Sequence, residues 1–133
     1  MSSERIEREL AALRRGGQKA LLIDEGRLLV LYRDVPVHGA VGGLPTTTDV
    51  VVPVPPGYPA SMIDLAGLPV GSPLLPLVRG GQNSQGVVLA DGRQWQLASY
   101  HPHNGGGGPV WDQVRHGFHT YFDHLLAWLG RLS

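Results

Sequence analysis

The chain has 133 residues, with 11 basic and 11 acidic side chains, six histidines, 19 glycines, 11 prolines and no cysteine. This length fits one domain spanning residues 1–133, and an apolar content of 42% is enough to build a core. A formal net charge of zero argues against nucleic-acid and anionic-membrane partners, because both select basic surfaces. The lack of cysteine excludes disulfides, cysteine-ligated metals and thiol nucleophiles.

The N-terminal stretch predicts a short amphipathic helix. Ile6, Leu10 and Leu13 recur at helical spacing, and Gly16 and Gly17 end the pattern. The first residues are charged, and no apolar run approaches the roughly 18 residues that cross a bilayer, so the sequence predicts neither a signal peptide nor a membrane span. We therefore expect a cytoplasmic protein.

Three strands are predicted next. The apolar runs 20–23 and 28–32 are separated by a turn that contains Gly26, a pattern typical of an antiparallel hairpin. The β-branched run 47–54 predicts a third strand, which the Pro-Pro-Gly-Tyr-Pro segment 55–59 closes as a rigid turn.

The middle of the chain predicts less regular structure and then a second hairpin. Residues 62–65 are a candidate fourth strand, and the Pro- and Gly-rich stretch 67–81 predicts an irregular connection. The segments 85–89 and 94–99 flank an Asp-Gly turn at 91–92, which predicts a small hairpin.

An apolar series at spacings of three and four predicts a long helix at the C-terminal end of the chain. Its members are Trp111, Val114, Phe118, Tyr121, Leu125, Leu129 and Leu132. Four consecutive glycines, 105–108, precede it and predict a hinge. Helix, antiparallel strands, hairpin and helix together predict an α+β fold.

Several motifs follow one another between residues 47 and 132. They are the 55–59 turn with Met62 after it, Gly80-Gly81, Asp91-Gly92-Arg93-Gln94-Trp95-Gln96 with Ser99 and His101, and Gly108-Pro109 ahead of the last helix. This combination resembles the ubiquitin-conjugating (UBC-like) family, and in particular its bacterial branch. The resemblance implies a UBC-like fold with an N-terminal helix, an antiparallel β-meander, a small hairpin and a long C-terminal helix.

The chain departs from the conjugating enzymes at their nucleophile. Those enzymes carry a ubiquitin-like protein as a thioester on cysteine, and this chain has no cysteine. The stretch 101–104 is superficially similar to the His-Pro-Asn segment of the family but lies too late in the fold. The chain is therefore similar to ubiquitin-conjugating enzyme variants, which bind and orient a ubiquitin-like protein without catalysis. The resemblance implies such a protein as partner, an activating enzyme or deconjugating peptidase as further partners, and no cofactor.

Five residues are candidates for contact with that partner. We predict that a flexible tail of the ubiquitin-like protein lies between the 91–99 hairpin and the glycine run, near Trp95, His101 and His103. Arg93 on the hairpin and Tyr58 in the proline-rich turn complete the predicted set. A place in the core is the alternative for Trp95, since Leu97 shares its strand face.

A different class of function remains open, a small hydrolase or transferase. Imidazole titrates near neutral pH, so His101 or His103 is a candidate acid-base group with Ser99 as nucleophile. Structural hydrogen bonds are the alternative role for these side chains, because Ser99 lacks the glycine context of a nucleophile elbow.

Two further histidines, His116 and His119, are candidate metal ligands for such an enzyme. Helical spacing would place them on one face with Asp112 and Asp123, a donor set that suits a divalent ion. The alternative is a solvated helix face on which the aspartates pair with the histidines.

Overall fold

Six strands and two α-helices occupy the parts of the chain that the computed structural model describes, residues 2–24, 27–37, 46–63, 65–77, 86–99 and 111–130. In chain order they are α1 (Ser2–Arg15), β1 (Lys19–Asp24), β2 (Leu28–Pro36), β3 (Thr47–Pro53), β4 (Leu65–Pro69), β5 (Val87–Ala90), β6 (Arg93–Ser99) and α2 (Phe118–Gly130). A short 3₁₀ helix, Leu75–Leu77, follows β4. The predicted α+β class is confirmed.

All six strands form one antiparallel sheet in the order β1-β2-β3-β4-β6-β5. The first four follow one another as a meander, and the β5–β6 hairpin joins the sheet because β6 pairs with β4. Leu65 lies opposite Ser99, and Pro69 lies opposite Trp95. Strands β1 and β5 are therefore the two edges of the sheet, and the predicted meander and hairpin are both present.

One face of the sheet and both helices enclose the larger core, here called the first core. Its buried members are Ile6, Leu10, Ala20, Val30, Tyr32, Val35, Val37, Val50, Val52, Tyr58, Ile63, Ala66, Leu68, Leu74, Ala98, Phe118, Tyr121, Leu125, Trp128 and Leu129. The side chains of Ile6 and Leu10 are one helical turn apart, so α1 buries a single stripe. The Tyr32 hydroxyl on β2 donates a hydrogen bond to the Phe118 carbonyl (2.9 Å), which ties the sheet to the start of α2.

The opposite face of the sheet curls around a smaller cluster, here called the second core. It consists of Leu29, Leu31, Val51, Ala90, Trp95 and Leu97. These residues come from β2, β3 and the β5–β6 hairpin, which are separated by β4 in the sheet, so β4 is the strand about which the sheet curls. Period-two alternation explains this arrangement, since Leu29 and Leu31 face one core while Val30 and Tyr32 face the other.

A glycine in β4 permits this close approach. A Cβ atom added to Gly67 would lie 2.9 Å from Val51 Cγ1, 3.0 Å from Leu97 Cδ2 and 3.3 Å from Trp95 Cβ. Such distances are too short for ordinary packing, so a side chain at this position would force the neighbouring strands apart.

Two predicted boundaries are wrong. The fourth strand lies at Leu65–Pro69 rather than 62–65, so part of the stretch predicted as irregular is paired sheet. The last helix begins at Phe118, and Val114, which the apolar series placed on its buried stripe, is 84% exposed. The Asp112 carboxylate accepts hydrogen bonds from the backbone N–H groups of Val114 (2.9 Å) and Arg115 (3.4 Å), which forms a turn where a helix was expected.

Several predicted features lie outside the described residues, among them the motifs Gly80-Gly81 and Gly108-Pro109 and the stretch 101–104. The turn glycine Gly26, the glycine run 105–108 and the terminal Leu132 also lie outside them. Within the described ranges, neither helix is long and apolar enough to cross a membrane.

Candidate partner-binding surface

The β5–β6 hairpin holds two of the predicted contact residues side by side. The indole of Trp95 is fully buried in the second core, and its Nε1–H donates a hydrogen bond to the Ala90 carbonyl (2.9 Å). The Arg93 guanidinium lies over the indole, 4.4 Å from the ring centroid. Trp95 therefore fills the inside of the hairpin, and Arg93 covers it from the solvent side.

Arg93 also belongs to a network of ion pairs that closes the curl of the sheet. Its Nη2 lies 2.7 Å from Asp49 Oδ2 on β3. Across the network, Arg33 Nη2 on β2 lies 3.1 Å from Asp91 Oδ2 in the hairpin turn. These pairs join the tip of the hairpin to β2 and β3, although β4 lies between β3 and the hairpin in the sheet.

Asp49 is the most enclosed carboxylate of this network, with a side chain 19% exposed. Burial by itself would raise its pKa, but the opposing interactions are stronger. The Asp34 backbone N–H donates a hydrogen bond to Asp49 (2.9 Å), and the charges of Arg93 and Arg33 favour the ionised form. The pKa of Asp49 is therefore below its usual value, and the network is held by an ionised carboxylate.

Tyr58, another predicted contact residue, lies in the first core on the far side of the sheet. It is 3% exposed, and its ring packs 5.1 Å from Phe118 and 6.2 Å from Trp111 between centroids. Its hydroxyl donates a hydrogen bond to Glu9 Oε1 (2.6 Å). Burial and the Glu9 carboxylate raise the pKa of Tyr58 far above its usual value, so the hydroxyl is a neutral donor.

Glu9 connects this tyrosine to the start of α2. Its Oε1 also accepts the Phe118 backbone N–H (3.0 Å), and its Oε2 accepts Arg5 Nε (2.7 Å). A carboxylate at a helix N-terminus accepts a hydrogen bond from an otherwise unpaired N–H and interacts favourably with the positive end of the helix dipole. Gly117 makes room for it, since an added Cβ would collide with the Glu9 carboxylate.

The predicted contact residues thus occupy two places rather than one. Tyr58 belongs to the first core, whereas Trp95 belongs to the second core on the opposite face. Burial of both means that a partner would reach either ring only through rearrangement of the fold. Arg93, with a side chain 40% exposed, is accessible at the surface. His101 and His103 lie outside the described residues.

The residues considered for catalysis and metal binding are not assembled into a site in the described part of the chain. Ser99 is the last residue of β6, where it pairs with Leu65. His116 Nδ1 accepts the Asp112 backbone N–H (2.9 Å), and both residues precede α2, so they do not share a helix face with His119. Among the described residues, no group of three or more histidines and carboxylates could hold a metal ion.

Sequence reasoning missed the exposed apolar side chains on the far end of the sheet. Val70, Val87 and Leu89 are 50%, 53% and 66% exposed, and we call them the hairpin patch. Leu89 on β5 lies opposite Gln94 on β6, and the Val70 N–H just after β4 donates a hydrogen bond to the Gln94 carbonyl (3.0 Å), so the patch residues flank β6 on both sides. The alternation of side chains along the edge strand β5 could have indicated the patch. Val88 and Ala90 face the second core, so Val87 and Leu89 must face the other way.

No family model, curated protein or solved structure matches this chain.

Proposed function

We propose that this chain is a catalytically inactive, UBC-like protein that binds and positions a bacterial ubiquitin-like protein in a ubiquitin-like conjugation pathway. The observation that carries the proposal is the order of the elements, a helix, a four-stranded antiparallel meander, a hairpin and a helix, in a chain without cysteine. Such a chain can hold a ubiquitin-like protein by contact and cannot carry it as a thioester.

The proline-rich turn gives further support. The Tyr58–Pro59 peptide bond is cis, and the Trp111 indole Nε1–H donates a hydrogen bond to the Pro59 carbonyl (2.9 Å). The turn after β3 is therefore fixed to the segment that leads into α2. The turn is one of the motifs on which the resemblance to the UBC-like family rests.

The hairpin patch is the surface that best fits a protein partner. Exposed apolar side chains on an edge strand offer hydrophobic area beside backbone groups that pair with no other described strand, and the exposed Gln94 adds a hydrogen-bonding amide. The resemblance implies a partner that presents an apolar sheet face. We therefore place the contact at Val70, Val87 and Leu89, on the face of the hairpin opposite Arg93.

Co-purification tests the proposal. The chain is expressed together with a ubiquitin-like protein encoded beside its gene, and the mixture is examined by size-exclusion chromatography and intact mass. We expect a complex whose components retain their separate masses. A covalent adduct that survives reductant would instead point to an ester or amide on this chain, and thus to a hydrolase or transferase. Absence of a complex would also contradict the proposal.

Substitutions in the patch locate the contact. Leu89→Asp and Val87→Asp place a charge in the middle of the apolar surface and should weaken binding at least tenfold, because each charge would be buried without a partner. Val114→Asp is the matched control, since Val114 is 84% exposed and lies in the turn before α2. Equal binding by all three variants would exclude the hairpin patch as the docking surface.

A further inference from the structure

The two edges of the sheet are protected to different degrees. Strand β1 begins with Lys19 and ends with Asp24, and Arg14 of α1 donates a hydrogen bond from Nη1 to the Ala20 carbonyl (2.7 Å). Strand β5, Val87–Ala90, carries no charged side chain and pairs with no described strand other than β6. Charges and covering side chains are the usual means by which proteins prevent an edge strand from pairing with another chain. Within the described ranges, β5 is therefore the edge that lacks this protection.

The turn of the hairpin determines the hydrogen-bonding phase of β5. Asp91 (φ 54°) and Gly92 (φ 72°) both have positive φ, as a two-residue turn of type I′ requires. The residues that flank such a turn, Ala90 and Arg93, form a hydrogen-bonded pair across the hairpin. In an antiparallel ladder, pairs of this kind alternate with pairs whose backbone groups point to the outer sides.

The other end of β5 has the same phase. The Leu97 N–H donates a hydrogen bond to the carbonyl of Gly86, the residue just before the strand (2.8 Å). The backbone groups of Val87 and Leu89 therefore point away from β6, toward the edge of the sheet. The same two residues carry exposed side chains of the hairpin patch. The edge thus presents apolar side chains and backbone groups that no described strand uses at the same two positions.

Such an edge is complementary to itself. In an antiparallel pairing of two copies centred on Val88, Val87 of one copy lies opposite Leu89 of the other, and each such pair exchanges N–H···O hydrogen bonds in both directions. The two side chains of a pair lie on the same face of the joined sheet, so the valine packs on the leucine. At the ends of the pairing, Gly86 lies opposite Ala90, and no charged side chain is enclosed.

Charge does not oppose the association of two copies. The chain has a formal net charge of zero, so long-range repulsion between copies is small. The charged residues that follow β5 are engaged within their own chain, because Asp91 pairs with Arg33 (3.1 Å) and Arg93 pairs with Asp49 (2.7 Å). A second copy of the chain is therefore an occupant that matches this edge in register, in apolar side chains and in charge.

We propose that two copies of this chain pair antiparallel through β5, centred on Val88, and that the pairing covers Val87 and Leu89 of the hairpin patch. One short strand buries little surface, so the dimer is weak and the dilute chain is monomeric. The ubiquitin-like protein of the proposed function uses the same side chains, so the dimer and that complex exclude each other. This regulatory consequence rests on the proposed function, whereas the pairing itself does not.

Sedimentation velocity of the full chain tests the pairing. We expect the average mass to rise from that of one chain toward twice that value between about 5 μM and about 500 μM, the range of weak association. Leu89→Asp should stay monomeric, because its charge would be buried against Val87 of the second copy. Val114→Asp, in the exposed turn before α2, should associate like the wild type. A monomeric wild type, or equal association by Leu89→Asp, would overturn the proposal.

Disulfide cross-linking tests the register. The chain has no cysteine, so a single introduced cysteine reports one contact. When Val87→Cys and Leu89→Cys chains are mixed and oxidised, the mixed dimer should exceed either like dimer at least about fivefold, because only unlike positions face each other at disulfide distance. Intact mass separates the three products. Leu21→Cys, exposed on β1, is the control and should not cross-link to Leu89→Cys. Products in the proportions of random pairing would contradict the register.

Competition separates the pairing from its regulatory consequence. Addition of the ubiquitin-like protein used for co-purification to the concentrated chain should convert the dimer into a complex with one copy of each component. A dimer that persists and binds nothing would contradict the proposed function and leave the pairing established. A complex that retains two paired copies of this chain would contradict the mutual exclusion.

Discussion

The two cores of this protein are closed in different ways. The first core is closed by buried hydrogen bonds, because Glu9 is 7% exposed and accepts hydrogen bonds from the Tyr58 hydroxyl and from the Phe118 N–H at the start of α2. The second core is sealed at its margin by ion pairs of half-exposed arginines with Asp49 and Asp91. Buried hydrogen bonds cannot be replaced by water, whereas marginal ion pairs can. The second core should therefore depend mostly on its packing, and the first on both packing and polar contacts.

Trp95→Ala should have the largest effect, a loss of about 3–5 kcal/mol in the free energy of unfolding, because a large buried ring is removed from a small core. Denaturant unfolding measures it. Trp95→Phe is the control, which keeps most of the apolar volume and loses the hydrogen bond to the Ala90 carbonyl, and it should cost clearly less. A loss below about 1 kcal/mol for Trp95→Ala would mean that the second core contributes little.

Glu9→Ala should destabilise the first core by about 2–4 kcal/mol, because the Tyr58 hydroxyl and the Phe118 N–H are left buried without an acceptor. The same unfolding experiment measures this loss. Glu7→Ala on the same helix is the control, since the Glu7 side chain is 52% exposed and only 3.7 Å from Arg14 in a surface ion pair. Similar effects of the two substitutions would show that Glu9 does not connect α1 to α2.

Gly67→Ala should cost about 1–3 kcal/mol, the range expected for overpacking, because the new methyl group meets Val51 and Leu97 at the curl of the sheet. Gly16→Ala provides the comparison, since an added Cβ there meets nothing closer than 3.5 Å from the Leu13 carbonyl oxygen. Thermal unfolding of both variants measures the difference in stability. Full stability of Gly67→Ala would contradict the close approach of strands around β4.

Asp49→Asn should have the smallest effect, about 1 kcal/mol near neutral pH, because the network at the margin loses its ionised centre. The pKa of Asp49 is lowered in the folded chain, so its contribution is complete above the unfolded value and is lost as pH falls through the folded value. The difference in unfolding free energy between wild type and Asp49→Asn should therefore shrink below about pH 4. A difference independent of pH would contradict this assignment.

Local patterns account for most of the elements that could be predicted from the sequence. The helical spacing of Ile6 and Leu10, the β-branched run in β3 and the Asp-Gly turn between β5 and β6 each reflect contacts within a few residues. The alternation that puts Trp95 and Leu97 on one strand face was also predicted, and both lie in the second core.

Features that depend on contacts between distant segments escaped prediction. In the sequence, Glu9 looks like any carboxylate on a helix surface, because its contacts with Tyr58 and Phe118 form only in the folded chain. Gly67 reads as part of an irregular stretch, because the need for a small residue arises only where the sheet curls. The apolar spacing at Val114 continued past the true helix start, which Glu9 and the Asp112 turn determine.

Hydrogen–deuterium exchange of the chain, alone and with the proposed ubiquitin-like partner, tests the central claim most directly. The claim is that the hairpin patch on the outer side of the second core binds that partner. We predict slower exchange in Val87–Ala90 and in the neighbouring part of β6 when the partner is present, with little change in α1. Unchanged exchange in β5 on formation of a stable complex would contradict the claim.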